Sequence, residues 1–509
     1  MDSFLLYRDS SAETKKSYLF QRDILKDLNL DVLFKTMARG DDFLYQATKK
    51  IMMIPLRTPE EIRYRQDIIQ DFWENSTFLD ELYECTVKQQ REVRIFKEEM
   101  EKNRTRSVKK TSEILEKLSF LTQSQRALTD LRELLKKYRE NLHSEGLCGL
   151  LDRLEKEPLE ELMEKLEDMD FFVSGGEIGY TLQFGGGLKI NEARVNYCVN
   201  TQEERAKNKQ GTFEKLFLKY VKKNTMVYRN NEELATDIER LKELSILQML
   251  AVLQPYLEDV LHFLEQLSLE VAFYRGVLNF RTRMWELSIS LCQPEPQPVG
   301  SNTTSFEKLY ELTMAIHVQR MPVGNTLSLP DTVLTLITGA NQGGKSTFLR
   351  SYGIALLLMQ CGMPVPAKAF RAPVYRQIFT HFTRREDEHL NSGRLREELK
   401  RMSEMVQVAE PGCIFLLNES FASTTEKEGA KIAEGILQAF YEKGVSVMMV
   451  THLFQLSKKL YQPKMEGVAF LLAERKQDGT RTYRILPGAP EHTSYGTDLF
   501  KVLEELELE

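Results

Sequence analysis

Gly339-Ala340-Asn341-Gln342-Gly343-Gly344-Lys345-Ser346-Thr347 is the stretch on which the reading of this chain turns. It fits G-x-x-x-x-G-K-[ST] completely, and its flanks agree with it. Val333 to Thr338 reads as a buried strand entering the loop, and a helical run leaves it from Lys345 to Gln360. Glycines let backbone N–H groups wrap phosphate oxygens where a Cβ would collide. Lys345 sets a cation on the terminal phosphates, and the Ser346 hydroxyl is placed for Mg²⁺. The stretch therefore predicts a P-loop spanning residues 339–347, with ATP and Mg²⁺ as cofactors.

Downstream the rhythm is α/β. Cys413 to Leu417 and Val445 to Val450 are two further buried-strand runs separated by a helical pattern, so a mostly parallel sheet is expected. The first ends in Asn418-Glu419. A nucleotide-hydrolysing site needs a carboxylate to orient water and a second group in the metal shell. Glu419 is the candidate catalytic carboxylate, and Asn418 is a neutral metal-shell candidate beside Ser346. The second run ends in Thr451-His452, where His452 is placed to contact the γ-phosphate or its attacking water. Lys345, Glu419 and His452 form the expected catalytic set. Near the C-terminus, Val468 to Leu472 and Thr482 to Ile485 flank Asp478-Gly479, a hairpin signal.

Upstream the pattern is helical. Leu115, Leu118, Leu121, Leu128, Leu131, Leu134 and Leu135 recur at i, i+3 and i+4 spacing among charged residues. Two glycine clusters, Gly175-Gly176 and Gly185-Gly186-Gly187, bracket the β-prone run Tyr180 to Phe184, which predicts a small β insertion at the tip of a helical excursion. Prolines at 294, 296 and 298 mark a boundary. The expected fold is multidomain: a helical core start over 1–75, long helical arms over 76–291 with an insert near 171–230, a linker or junction over 292–327, and an α/β P-loop domain over 328–509.

Charge and composition narrow the partners. The net charge of −6 excludes a uniformly basic surface, yet residues 201–230 carry eight bases against three acids. Lys207, Lys209, Lys215, Lys219, Lys222 and Lys223 in that segment are the candidate nucleic-acid contacts, able to grip phosphates without reading bases. The six cysteines are scattered with no C-x-x-C pair, which suits free thiols better than a zinc site or a disulfide framework. No apolar stretch approaches the roughly 20 residues of a membrane span, and the N-terminus lacks a signal-peptide pattern. A cytoplasmic protein with no membrane partner is expected.

Thr338 to Arg350 resembles the P-loop of the MutS family, including Asn341 and the paired glycines before the lysine. Val365-Pro366-Ala367, Ile378 to Thr380, Ser392-Gly393-Arg394, Thr451-His452 and Ser494-Tyr495-Gly496 are similar to that family's later landmarks, in order and spacing. Pro55-Leu56 and the helical run from Glu60 resemble its lever domain. The resemblance implies a helical lever and core with a clamp at the arm tips, a dimerising ABC-type ATPase domain, and a trans signature segment at Ser392, Gly393 and Arg394. It also carries three departures. The family's mismatch-reading and connector domains have no counterpart in these residues. Asn418 stands where an aspartate is usual, and Leu395-Arg396 stands where the family places Ser-Thr. The resemblance thus implies a homodimeric ATPase coupling nucleotide to a grip on structured or branched DNA, with RNA as another possible partner. The alternative is an ATP-binding, poorly hydrolysing scaffold, or an RNA- or ribosome-associated relative.

Overall fold

The computed structural model describes residues 3–8, 16–105, 110–173, 179–184, 190–196, 231–383, 393–461, 465–476 and 480–490. The chain divides into two compact units. One comprises Met1–Ser3, Glu81–Glu140 and Gly149–Ser268; the other comprises Phe4–Asp80, Asn141–Cys148 and Leu269–Glu509.

The first unit is built from long helices. They are most of α5 (Ser76–Thr105), α6 (Lys110–Lys137), part of α7 (Glu145–Lys156), α8 (Leu159–Val173) and the first part of α9 (Asn231–Glu286). Ile114, Leu118, Leu121, Leu128, Leu131 and Leu135 form the buried seam of α6, the 3.6-residue spacing placing them on one face. Phe96 of α5 stacks on Phe120 of α6 with ring centroids 4.3 Å apart. Lys117 is buried in the same seam and donates to Glu113 and Gln254, each at 3.0 Å. Between α8 and α9 lies the expected β insertion. Strands β1 (Gly179–Phe184) and β2 (Ile190–Asn196) pair antiparallel, with a register shift between Gln183 and Phe184. The six lysines of the basic stretch, Lys207 to Lys223, fall outside the described residues.

The second unit joins N-terminal helices to an α/β core. Helices α1 (Gln21–Asp27), α2 (Leu30–Ala38), α3 (Asp42–Met52) and α4 (Pro59–Glu74) open it. Helix α4 starts as its sequence dictates. Thr58 and Glu61 form a reciprocal capping box around Pro59, a device that stabilises a helix start by about 1 kcal/mol.

A six-stranded sheet follows, in the order β12-β11-β6-β10-β9-β8. Its strands are β6 (Leu334–Thr338), β8 (Ile378–Phe382), β9 (Ile414–Asn418), β10 (Ser446–Val450), β11 (Val468–Arg475) and β12 (Arg481–Pro487). All neighbours are parallel except the β11–β12 hairpin. Strands β6, β8 and β10 are buried at every position. Helices cover both faces of such a sheet, which is why its strands read as unbroken apolar runs. Beneath it, Phe415 stacks on Phe379 (4.5 Å between centroids) and packs on Phe440 (4.3 Å).

Residues 292–327, expected as a linker or junction, have secondary structure of their own. They carry β3 (Glu295–Gln297), β4 (Thr304–Leu309), α10 (Leu312–Val318) and β5 (Asn325–Leu329), which join β7 (Ala369–Pro373) in a second sheet of order β3-β7-β4-β5. The prolines that suggested a tether sit in or beside the edge strand β3, the one place where a missing N–H costs no ladder bond.

The N-terminal helices belong to this same core. Leu56 N donates to Gln360 O at 2.8 Å, and Phe382 N donates to Asp27 at 3.3 Å. Arg401 bridges Asp23 (3.3 Å) and Phe382 O (2.8 Å). Arg65 is fully buried, donating to Leu6 O and Cys361 O between the rings of Tyr7 and Phe273. Among the described residues no helix is long and apolar enough to cross a membrane.

Candidate nucleotide site

The strand register sets the site. Ile337 of β6 pairs with Val450 of β10, Val450 with Asn418 of β9, and Asn418 with Phe382 of β8. The carboxyl ends of these strands are therefore level, at the edge of a parallel sheet where ligands bind.

At the end of β6 the chain turns through the glycine loop into α11 (Lys345–Gln360). Gly339 has φ +113°, and a Cβ there would lie 3.0 Å from the Ala473 backbone nitrogen. Gly344 caps α11 at φ +92°, leaving the first N–H groups of the helix facing the loop, where an anion is favoured. Asn341 and Gln342 are exposed at the tip, while Ala340, Gly343 and Lys345 are buried and Ser346 and Thr347 half-buried. The Lys345 ammonium donates to Gly339 O (2.8 Å) and Ala340 O (2.9 Å). Burial lowers its pKa to about 8, and the nearby Glu419 carboxylate offsets only part of that shift.

Glu419 stands at the end of β9 in a left-handed conformation, φ 55°. Its N–H donates to Val450 O at 2.9 Å, and its carbonyl accepts from the Thr383 hydroxyl at 2.7 Å. Its carboxylate lies 2.7 Å from His452 Nε2. That hydrogen bond is the main reason its pKa is lowered; burial opposes it, and the charges of His452 and Lys345 add to it. Two polar atoms at the site, Asn418 Oδ1 and His452 Nδ1, are buried with no hydrogen-bond partner among the described residues. An unpaired buried acceptor is costly, and both lie at the ends of their strands beside Glu419. A glycine cradle, a buried ammonium, and an amide oxygen and imidazole nitrogen without partners among the described residues fit a magnesium nucleotide.

The predicted catalytic and nucleotide-binding residues converge in this way. Of the signature segment, Ser392 lies outside the described residues. Gly393 is exposed and caps α12 (Arg394–Gln407), with Arg394 its first residue. Sequence reasoning missed the wall of the loop. Arg481 donates to Gln342 Oε1 at 2.7 Å, and the backbone of Tyr483 lies 3.6 Å from where a Gly344 Cβ would be. Tyr483 leaves an aromatic ring half exposed there. The hairpin was legible from Asp478-Gly479, but nothing local says that β11 and β12 pack beside the P-loop.

A level parallel-strand edge carrying a P-loop, a polarised glutamate and a histidine defines a P-loop nucleotide-binding domain of the ATPase class. Comparison with known families matches residues 335–504 to MutS domain V, an ATPase domain, and residues 57–287 to the MutS2 N-terminal domain. The chain belongs to the MutS family. It is 32% identical over 178 residues to a DNA mismatch repair protein MutS from Thermotoga neapolitana, covering 35% of this chain and 22% of that one. It is 30% identical over 242 residues to an Endonuclease MutS2 from Thermus thermophilus, covering 46% of this chain and 32% of that one. A DNA mismatch repair protein MutS from Thermus aquaticus is 30% identical over 166 residues. The chain thus spans between a fifth and a third of the length of these relatives.

Proposed function

We propose that this chain binds ATP with Mg²⁺ and hydrolyses it, working as a cytoplasmic homodimer that grips structured DNA through its helical arms. The convergence of Lys345, Glu419 and His452 at one strand edge carries the reading. Lys345 and the α11 N-terminus hold the phosphates, Ser346 and Asn418 complete the metal shell, and Glu419 orients the attacking water. His452 fixes the Glu419 carboxylate through Nε2 and has Nδ1 left to meet the γ-phosphate or the water. Magnesium, when bound with ATP, would supply positive charge that offsets the charge of the phosphates. Glu419 takes up or directs the proton from water, a role suited to a carboxylate kept ionised.

The helical arms and the Lys207–Lys223 stretch would supply phosphate contacts that recognise shape and charge, not sequence. Ser392, Gly393 and Arg394 would face the nucleotide of a second copy, completing a composite site. Nucleotide bound across such an interface biases a two-state clamp.

Asn418 favours a second reading, in which ATP is held as a structural ligand of a scaffold on DNA or RNA. A neutral amide brings no charge to the metal shell, and Leu395-Arg396 alters the signature segment. Steady-state turnover with Mg²⁺, beside Glu419→Gln, with and without branched DNA, separates the two. Turnover that collapses in the variant and rises with DNA supports the clamp. ATP bound without turnover above the variant supports the scaffold.

A further inference from the structure

Glu419 owes its position to a backbone that side chains rarely adopt. Glu419 and Phe421 both have positive φ, 55° and 66°, with Ser420 between them. A turn with two left-handed non-glycine residues persists only where its surroundings hold it. The packing partner is His381 of β8, which is fully buried. Its Nδ1 lies 2.7 Å from Ser420 Oγ, and the same hydroxyl lies 2.9 Å from the His381 carbonyl oxygen. Its Nε2 faces the Glu398 carbonyl of α12 at 3.3 Å. Its ring stacks on Phe421, centroids 6.0 Å apart and planes 26° apart. The Ser423 hydroxyl reaches the Glu398 carboxylate at 2.5 Å, a second tie between turn and helix.

We propose that His381, acting through Ser420, is a positioning residue for Glu419, and that it joins the catalytic turn to α12, the helix that opens at Gly393. This rests on the ATPase reading of Glu419. Ser420 and His381 are both buried, so the pair is not a nucleophile and base awaiting a substrate. It is a brace. The same imidazole touches the strand before the signature segment, the helix after it and the turn that carries the glutamate. A change at Gly393 therefore has a hydrogen-bonded route to Glu419 within one protomer.

The test uses the full chain with Ser420→Ala, His381→Phe, their combination, and His381→Asn, which keeps one amide near the Nδ1 position. Wild type and Glu419→Gln run beside them. We expect Ser420→Ala and His381→Phe each to lower kcat about tenfold while ATP Kd stays within about threefold, the split that marks a lost transition-state arrangement. The double variant should be no worse than His381→Phe alone, and Asn should recover part of the rate. Amide exchange over residues 418–424 should quicken about tenfold in the same variants. Wild-type kcat in both single variants, with unchanged exchange, overturns the proposal. If wild type turns over no faster than Glu419→Gln, the ATPase reading falls instead, and exchange at the turn alone decides whether His381 braces it. Ser420→Ala, which removes one oxygen, keeps the test open should His381→Phe fail to fold.

Discussion

Glu419 and His452 end adjacent strands, and the Glu419 Oε1 to His452 Nε2 contact of 2.7 Å spans the gap between β9 and β10. Because Nε2 is committed to the carboxylate, Nδ1 is the ring atom left to meet a ligand, and it has no partner among the described residues. The carboxylate is thereby ionised and aimed before any water arrives.

Glu419→Gln keeps the hydrogen-bond geometry and removes the base. Turnover should fall by about 10²–10⁴, the usual worth of a positioned general base, while ATP affinity is retained. Parallel measurement of kcat and of nucleotide binding checks this, and equal losses in both would contradict it. His452→Ala should cost less, because Glu419 remains.

Lys345→Ala should abolish ATP binding, read by equilibrium titration. The same lysine gives a stability signature. Its folded pKa of about 8 lies below its unfolded value, so between about pH 8 and pH 10.4 the unfolded chain holds the extra proton. Stability contributed by this group therefore rises with pH through that window and is flat below it. Denaturant melts of wild type against Lys345→Met, run from pH 7 to pH 10.5, should show the difference shifting towards wild type above pH 8. A constant difference would mean that the ammonium is not desolvated.

Asn418→Asp places a charge where Oδ1 is now orphaned and near Glu419. Two neighbouring carboxylates repel unless a cation lies between them or one of them holds a proton. The variant should reach half-maximal Mg²⁺ dependence at about a tenfold lower concentration, if the added charge is worth about 1.4 kcal/mol. It should also melt lower in the presence of chelator. Unchanged Mg²⁺ dependence would remove Asn418 from the metal shell.

Arg65→Met keeps most of the volume and strips the donors from Leu6 O and Cys361 O. Leaving two buried carbonyls unpaired, and losing contacts over Tyr7 and Phe273, should destabilise the chain by about 3 kcal/mol or more. Urea melts measure it directly. A loss under about 1 kcal/mol would mean that water replaces the guanidinium.

Neutralising Lys219, Lys222 and Lys223 together should weaken DNA binding at all sequences and reduce the salt slope by about three. Titrations at several salt concentrations give the slope. An unmoved slope assigns the stretch to a solvated face.

The P-loop, the three buried strands, the hairpin and the β insertion were readable because each is encoded by neighbours in sequence. Phosphate cradling needs glycines at fixed spacing, and a doubly covered strand needs an unbroken apolar run. Asp23, Asp27 and Arg65 show what stays hidden. By local pattern they belong to the polar side of amphipathic helices, yet all three are buried, and each reaches a group more than 290 residues away. His381 is hidden for the same reason: as a strand residue it looks like an ordinary core histidine. Its importance lies in Ser420 and Glu398, which the chain brings to it only on folding. The prolines around β3 do not tell an edge strand from a tether, because a missing N–H serves both.

The contacts of Leu56, Asp27 and Arg65 also decide where this protein can be cut. The stretch near residue 292 looks like a natural place to separate an ATPase module. A fragment beginning there would bare Gln360 O, Cys361 O and Phe382 N, and would strip Leu28 from its packing beside Gly353. The P-loop helix and the strand leading to the signature segment have their lids at the opposite end of the sequence. The compact unit that carries the P-loop is thus discontinuous in sequence: it takes in Phe4–Asp80, and Glu81–Glu140 and Gly149–Ser268 are inserted within it.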